Sequence, residues 1–487
     1  MKNQNNNAFD VVVVGNGVLG LSLALTLTRR KLRVALVGET SRPWAASTAA
    51  GAMLGCFGEV TSTLLKSEYG RTKHDFAVRA LRLWDDWLGE MDDTLGNDNI
   101  RVADGTVVIL NTVGYSKVDD VNFAAIRKSL QDYNEPFEDI NPNDIEWLDP
   151  YPSSRPQNAI YIPNEHAVNS IKLLQRLEKS FICLGGTLIN EAGIRIENNS
   201  GHVDALILES GERIISNKII LAAGVRSQDL LDTVPDVAAR IPRLVSGSGV
   251  SAIVSTVDGS SPNSVIRTPN RAFACGLHVL PRQKGEIYIG ATNAVLPKVA
   301  PVNPKVGNVV HLLECAYRQI RWDLSQGQIN RLQVGNRPVS VDGHPLLGET
   351  DLKGLWIMTG TNRDGLTLSP YLAQEMAKLI CGEVADADLE LFNPVRSPIQ
   401  TFTRKEIITE TVEHIVATGY ESDWRMPIGW QNIIENNLYL TYEKLAQDLH
   451  PDFTPPPELL IAASKHPSII KMLYKYYKKQ VSLEKVL

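Results

Sequence analysis

The sequence predicts an α/β fold: a parallel-sheet domain joined to a second, β-rich domain, with a helical region at the C-terminal end. Three observations carry this. Phe9 and a run of valines lead straight into Gly15, Gly17 and Gly20 and then into an apolar helix. Strand patterns dominate from Val245 to Thr292, and from Ile407 onward the pattern is helical.

The stretch FDVVVVGNGVLG reads as a strand, a tight turn and a helix start. Glycine is wanted three times there: to turn sharply after the strand, to let backbone approach a pyrophosphate, and to let the helix pack closely on the sheet. The N–H groups of the following helix, Val18 to Arg30, are placed to receive phosphates, with Val18 and Leu19 in its first turn. Such a turn alone is a weak signal, but Arg33 to Val37 supplies the second strand of a compact βαβ unit. Glu39 follows about 20 residues after the last glycine, near where a carboxylate would hold ribose hydroxyls. A Rossmann-like dinucleotide-binding domain is the expectation.

After Glu39, the small-residue run Ser47, Thr48, Ala49, Ala50, Gly51 lies between Trp44 and Met53 and suits backbone passing close to something flat and large. A helix is expected from Ser67 to Met91, with Phe76, Trp84 and Trp87 as core. Ile100 to Leu110 reads as strand and Val121 to Tyr133 as helix, before an irregular Pro-rich stretch from Pro136 to Pro156. Ala159 to Ile162 is a strand, Val168 to Leu184 a helix stopped by Gly185 and Gly186, and Thr187 to Leu208 a meander that includes Gly193 and Ile194. The strand Lys218 to Leu221 breaks at Ala222, Ala223 and Gly224, a second close backbone approach at a strand end. A hairpin pairs Leu277 to Pro281 with Glu286 to Ile289. A helix from Val306 to Ile320, strands at Gln328 to Val334 and Leu355 to Met358, and a helix from Tyr371 to Cys381 complete the compact part.

The chain of 487 residues is long enough for two or three domains. Its net charge of −6 carries no nucleic-acid footprint. The polar start MKNQNNNAFD lacks the apolar core of a signal peptide, and no run is long and apolar enough for a transmembrane segment. Five scattered cysteines, Cys56, Cys183, Cys275, Cys315 and Cys381, form no CxxC, which points to a reducing cytoplasm and to no metal site.

In order along the chain, VVVVGNGVLG, STAAGAMLG followed by Glu59, IILAAGVRS, VLPRQKGEIYIGAT, NRPVSVDGHPLLG and TGTNRDGLTLSP resemble the D-amino-acid oxidase and glycine oxidase (ThiO-like) group of FAD-dependent amine oxidases. The resemblance covers roughly residues 8 to 384. It implies an FAD-binding Rossmann-like domain of glutathione-reductase type, assembled from 8–98, 158–240 and 335–384. A mixed β-sheet substrate domain would be assembled from 99–157 and 241–334, with 385–487 as an extra helical region. FAD would be held without a covalent bond, since no cysteine lies between Cys315 and Cys381.

Carried over residue by residue, the resemblance implies that Arg337 clamps a substrate carboxylate and that Arg363 meets substrate and flavin. Asp364, Gly365, Leu366 and Thr367 would line the flavin through their backbone, and Glu59 would border the substrate. The chain departs from the pattern at three places. His278 stands where relatives carry a carboxylate-binding Tyr, Asn293 where glycine oxidases carry Met, and Gly38 where the second strand usually ends in a carboxylate.

The implied activity is oxidation of the bond between α-carbon and nitrogen in an amino acid or N-substituted glycine, with oxygen as acceptor. A flavin monooxygenase, a dehydrogenase with another acceptor and a flavin-bearing scaffold stay open, as does a homo-oligomer. In the last hundred residues, helices at Ile407 to Ala417, Ile433 to Leu449 and Glu458 to Val486 carry a basic face of Lys471, Lys475, Lys478 and Lys479. Capping the substrate site, forming a dimer contact and docking a partner are equal expectations for it.

Overall fold

The computed structural model describes residues 8–95, 100–271 and 276–484. Cys275, Val486 and the polar stretch before Ala8 lie outside them, as does the side chain of Lys479.

A six-stranded sheet runs in the order Leu346–Glu349, Leu355–Thr359, Ile219–Leu221, Val11–Val14, Val34–Val37, Thr187–Ile189. All neighbours are parallel except the edge pair formed by Leu346–Glu349 and Leu355–Thr359. Val11–Val14 is buried on both faces, as its unbroken valine run requires of a central parallel strand. Helices Val18–Arg29, Ser170–Cys183 and Ser369–Cys381 share one apolar cluster with it.

A second, mixed sheet of nine strands takes its strands from residues 106–162, 244–296 and 328–340. His278–Pro281 and Glu286–Gly290 form the expected hairpin. Two of the differences from the sequence reading lie in this sheet. The Pro-rich stretch contains an edge strand, Glu138–Ile140, paired with Pro156–Ile162. The strand expected to end near Val334 instead runs from Gln328 to Ser340, so Arg337 and Pro338 lie within it, opposite Gly247 and Ser246 of Leu244–Ser255. Pairing along that long partner holds Pro338 in register although the ring has no N–H to give.

Beyond Cys381 come helices Arg404–Glu421, Trp430–Leu449, Pro457–Lys465 and Pro467–Glu484. Thr403 and Glu406 form a reciprocal capping box at the start of the first. Their apolar faces, including Val416, Leu460, Leu473, Tyr476 and Tyr477, share one core with Val245, Val295 and Val339 of the nine-stranded sheet and with Val341 just past its last strand. Beside the basic face, Leu473, Tyr476 and Tyr477 therefore pack inward, while Tyr474 is exposed. Buried Arg271 adds an ionic tie, pairing with Asp119 at 3.1 Å and with Glu421 at 2.5 Å. Among the described residues no helix is long and apolar enough to cross a membrane.

Candidate active site

A cleft of about 490 Å³ opens at the C-terminal ends of Val11–Val14 and Ile219–Leu221 and reaches the nine-stranded sheet. In open parallel sheets this is where ligands bind. The three glycines of the first turn serve different ends. Gly15 has φ +113°, and a Cβ there would stand 2.5 Å from Ala222 backbone; one at Gly20 would stand 1.8 Å from Gly15 O. Those two are glycine because the chain must pack on itself. At Gly17 a Cβ would meet only Ser47 Oγ, at an ordinary 3.4 Å. Its smallness is unused by the protein and is available to a ligand.

The helix that begins at Val18 has no side-chain cap at Gly17, and Val18 N–H donates to Ser47 Oγ at 3.1 Å. Beside it, Arg42 lines the cleft with a buried Nε that has no hydrogen-bond partner, and burial lowers its pKa. A half-satisfied guanidinium beside an uncapped helix start suits an anion such as a pyrophosphate. Buried Asn16 donates to Gly38 O and Glu39 O, and a Cβ at Gly38 would strike its side chain at 2.7 Å. This explains the departure at the second strand: Asn16 requires glycine at 38, and the carboxylate stands at Glu39. Arg226 pairs with Glu39 at 3.1 Å and stacks over Trp44, its guanidinium carbon 3.9 Å from the ring centre.

Ala50, Gly51, Met53, Gly193, Ile194, Ala223, Gly224 and residues 363–367 also line the cleft. Trp84 Nε1 donates to Thr367 O, while Lys73 pairs with Asp364 at 2.8 Å, so the helix Glu68–Leu95 fixes that loop. Three residues expected at the site are not on its wall. Gly20 is packed beneath Gly15, and Thr48 turns its hydroxyl to Ala45 O and Arg42 O. Asn293 stands behind Arg337 and accepts from its Nη1 at 3.3 Å.

Arg337 lines the far end of the cleft. Nη1 also donates to Thr292 O at 3.3 Å, and among the described residues Nη2 and Nε have no acceptor. The guanidinium lies over Gly249, where a Cβ would stand 2.5 Å from both Nη atoms. A planar fork with an open edge is the arrangement that takes a carboxylate.

His278 and Glu59 lie on the same wall with altered roles. His278 is buried, and Nδ1 lies 2.9 Å from Gly276 O, a carbonyl that can only accept, so the proton sits on Nδ1 and Nε2 is an acceptor. Burial and then Arg267 lower its pKa to about 4. It is a neutral imidazole at neutral pH and cannot replace a tyrosine hydroxyl as a carboxylate donor. Glu59 is committed to protein groups: Arg267 at 2.8 Å, Asn270 Nδ2 at 3.1 Å, and Arg363 at 3.9 Å. Burial works against its charge, but the two guanidinia offset that and hold it well below the usual carboxylate range. Buried Glu165 accepts N–H bonds from Cys56, Phe57 and Gly58 and so fixes the turn that carries Glu59.

A family model described as FAD dependent oxidoreductase (DAO) matches residues 10–379. The chain belongs to this family. FAD is accordingly its cofactor, and the donor set fits it: glycine space at 17, an uncapped helix start, the unpaired Arg42 Nε and the Glu39 carboxylate. Among relatives, the glycine oxidase of Geobacillus kaustophilus (strain HTA426) is 26% identical over 401 residues, covering 80% of this chain and 97% of that protein. The glycine oxidase of Pseudomonas aeruginosa is 26% identical over 378 residues, covering 76% and 94%. Crystal structures of glycine oxidase from Geobacillus kaustophilus and of iminodiacetate oxidase from Chelativorans sp. BNC1 share the fold, with TM-scores of 0.68 and 0.67. Their identities are 23% and 20%, each covering 80% of this chain and 99% and 100% of the other. The helices from Arg404 onward lie beyond the family match.

Arg42, Trp44, Asn16 and Arg226 were not indicated by the glycine pattern. Arg42 alone had a signal, a cation three residues past the second-strand carboxylate.

Proposed function

We propose that the protein is an oxidase of the C–N bond of an α-amino acid or N-substituted glycine. The net change is amine plus oxygen plus water giving an oxo acid, ammonia or an amine, and hydrogen peroxide. Oxygen as acceptor and a cytoplasmic setting are part of this reading. So is a division into an FAD-binding part (8–98, 158–240, 335–384), a substrate part (99–157, 241–334) and the helical region 385–487.

The observation that carries the reading is Arg337, whose open guanidinium edge shares one cleft with the Gly17 turn. FAD, when bound, supplies the two-electron acceptor. Gly17, Val18, Leu19, Ser47 and Arg42 would hold its phosphates and Glu39 its ribose. Ala50, Gly51, Met53, Ala223, Gly224 and residues 363–367 would line its remainder. Arg337 binds the substrate carboxylate and so fixes the donor carbon, while Asn293 holds Arg337 in place. Neutral His278 offers an acceptor for an amine N–H. Glu59 is taken up by Arg267 and Asn270 and acts through Arg363 instead of touching substrate.

The test is anaerobic flavin reduction by a panel of amino acids of both hands and N-substituted glycines, followed by peroxide measurement on readmitting air. Bleaching by a carboxylate-bearing amine with stoichiometric peroxide supports the reading. Bleaching only by amines without a carboxylate overturns it.

A further inference from the structure

Away from the cleft, two helices bring together three side chains of the kinds that bind metal ions. His311 and Cys315 stand one turn apart on Val306–Gln319, and Glu421 ends Arg404–Glu421, the first helix of the C-terminal region. One ligand atom from each lies within 4.8 Å of the other two, and none of the three residues lines the cleft. Residues at i and i+4 share a helix face, so the first two meet by spacing alone. The third comes from 106 residues beyond Cys315, which is why a search for close-set cysteines does not show the cluster.

The ligand atoms are poorly used by the protein itself. Cys315 Sγ is 3.9 Å from His311 Nδ1 and 3.9 Å from Glu421 O, the far limit for a thiol. Glu421 Oε1 takes Arg271 at 2.5 Å, while Oε2 faces His311 Nε2 at 4.0 Å and accepts no hydrogen bond among the described residues. Ser422 Oγ, 3.2 Å from His311 Nδ1, can orient the ring, which is 34% exposed and opens the cluster to water. Charge points the same way. Buried Arg271 faces two carboxylates, Asp119 at 3.1 Å and Glu421, so one negative charge is left over, and neighbouring Arg318 is taken by Glu314 and Asp423. Burial, and then Glu421, push the Cys315 thiol pKa up, so the thiol is neutral without an ion and does not change this count. A divalent ion that binds the thiolate and releases its proton sets three positive charges against three negative.

We propose that His311, Cys315 and Glu421 form a zinc site, with water as fourth ligand, that pins the C-terminal helices to the helix backing the nine-stranded sheet. Thiolate, imidazole and carboxylate together suit Zn2+ better than a hard cation such as Mg2+ or Ca2+. Zinc bonds of about 2.0 to 2.3 Å in a tetrahedron put ligand atoms about 3.3 to 3.6 Å apart, so side chains already within 4.8 Å close on the ion by turning about their own bonds. Arg271 keeps Oε1 of Glu421 and leaves Oε2 for the metal. The site is structural, and it does not depend on what the flavin oxidises.

The test uses the full-length, FAD-loaded protein, stripped with EDTA under a reductant and then titrated with zinc against a chelating dye. Wild type should take up one zinc per chain with a dissociation constant below about 1 μM. His311→Ala, at a partly exposed position, should fold, keep its flavin and bind zinc at least about 100-fold more weakly, as should Cys315→Ser. Zinc should raise the unfolding temperature of wild type and leave that of His311→Ala unchanged. X-ray absorption at the zinc edge of the wild-type protein should show one sulfur among nitrogen and oxygen donors, which decides the part of Cys315 even if Cys315→Ser does not fold. Failure of wild type to hold stoichiometric zinc overturns the proposal. So does tight binding that survives in His311→Ala, which would put the ion elsewhere, or a zinc shell without sulfur.

Discussion

Gly249 lies directly beneath the guanidinium of Arg337, so that a single Cβ on it would stand 2.5 Å from both Nη atoms. The two stand on paired strands and meet diagonally, Gly249 being opposite Gly335 and Gly247 opposite Arg337. The obstacle would be the end of a flexible side chain, so Gly249→Ala should fold normally and push the guanidinium aside. Carboxylate affinity, read with acetate by flavin absorbance, should fall between about 10- and 100-fold at unchanged flavin content. Unchanged affinity would show that the guanidinium does not act from this position.

Arg337 itself gives the sharper contrast. Arg337→Ala should retain FAD, because the phosphates are met at the opposite end of the cleft near Gly17 and Arg42. It should lose on the order of 2 to 5 kcal/mol of carboxylate binding. Arg337→Lys should recover part of that, being a point charge without the fork. Equal apparent affinity in all three proteins would remove the carboxylate from the substrate and with it the amino-acid reading.

The glycine turn separates packing from ligand binding. Gly20→Ala should unfold or fail to express, since its Cβ would stand 1.8 Å from Gly15 O. Gly17→Val should fold, with apo-protein thermal stability within about 1 kcal/mol of wild type, and bind FAD at least about tenfold more weakly. A Gly17→Val protein that keeps its flavin would place the pyrophosphate elsewhere.

What could be read in the sequence was what local backbone chemistry writes down. Gly15, Gly17 and Gly20 announce a turn that few other residues could make, and the alternation around His278–Pro281 and Glu286–Gly290 announces a hairpin. Groups that work across long separations left no such mark. Asn16 dictates Gly38, and Arg226 meets Glu39 from 187 residues away. The C-terminal helices were legible as helices, but Leu473, Tyr476 and Tyr477 do not say which surface they cover. That surface is the nine-stranded sheet, so these helices complete a shared core, and ending the chain after Cys381 would expose Val245, Val339 and Val341. Removing the region is therefore a poor test of what it does, and a single substitution at Glu410 serves better.

Glu410 offers a pH-dependent test of that region. Burial, and then the neighbouring charges of Glu413 and Glu458, raise its pKa to about 7 against the opposing Thr63 hydrogen bond and Lys66. A carboxyl raised on folding binds its proton in the native state where the unfolded chain has already released it. Stability is therefore fully present below the unfolded value near 4.5 and declines as pH rises through 7. Glu410→Gln keeps an acceptor for Thr63 and removes the titration. Thermal or denaturant unfolding of both proteins should show little difference at pH 4.5, and a variant more stable by about 2 kcal/mol at pH 8. A difference that does not change with pH, or that grows toward acid, would mean that Glu410 is hydrated or already paired in the folded protein.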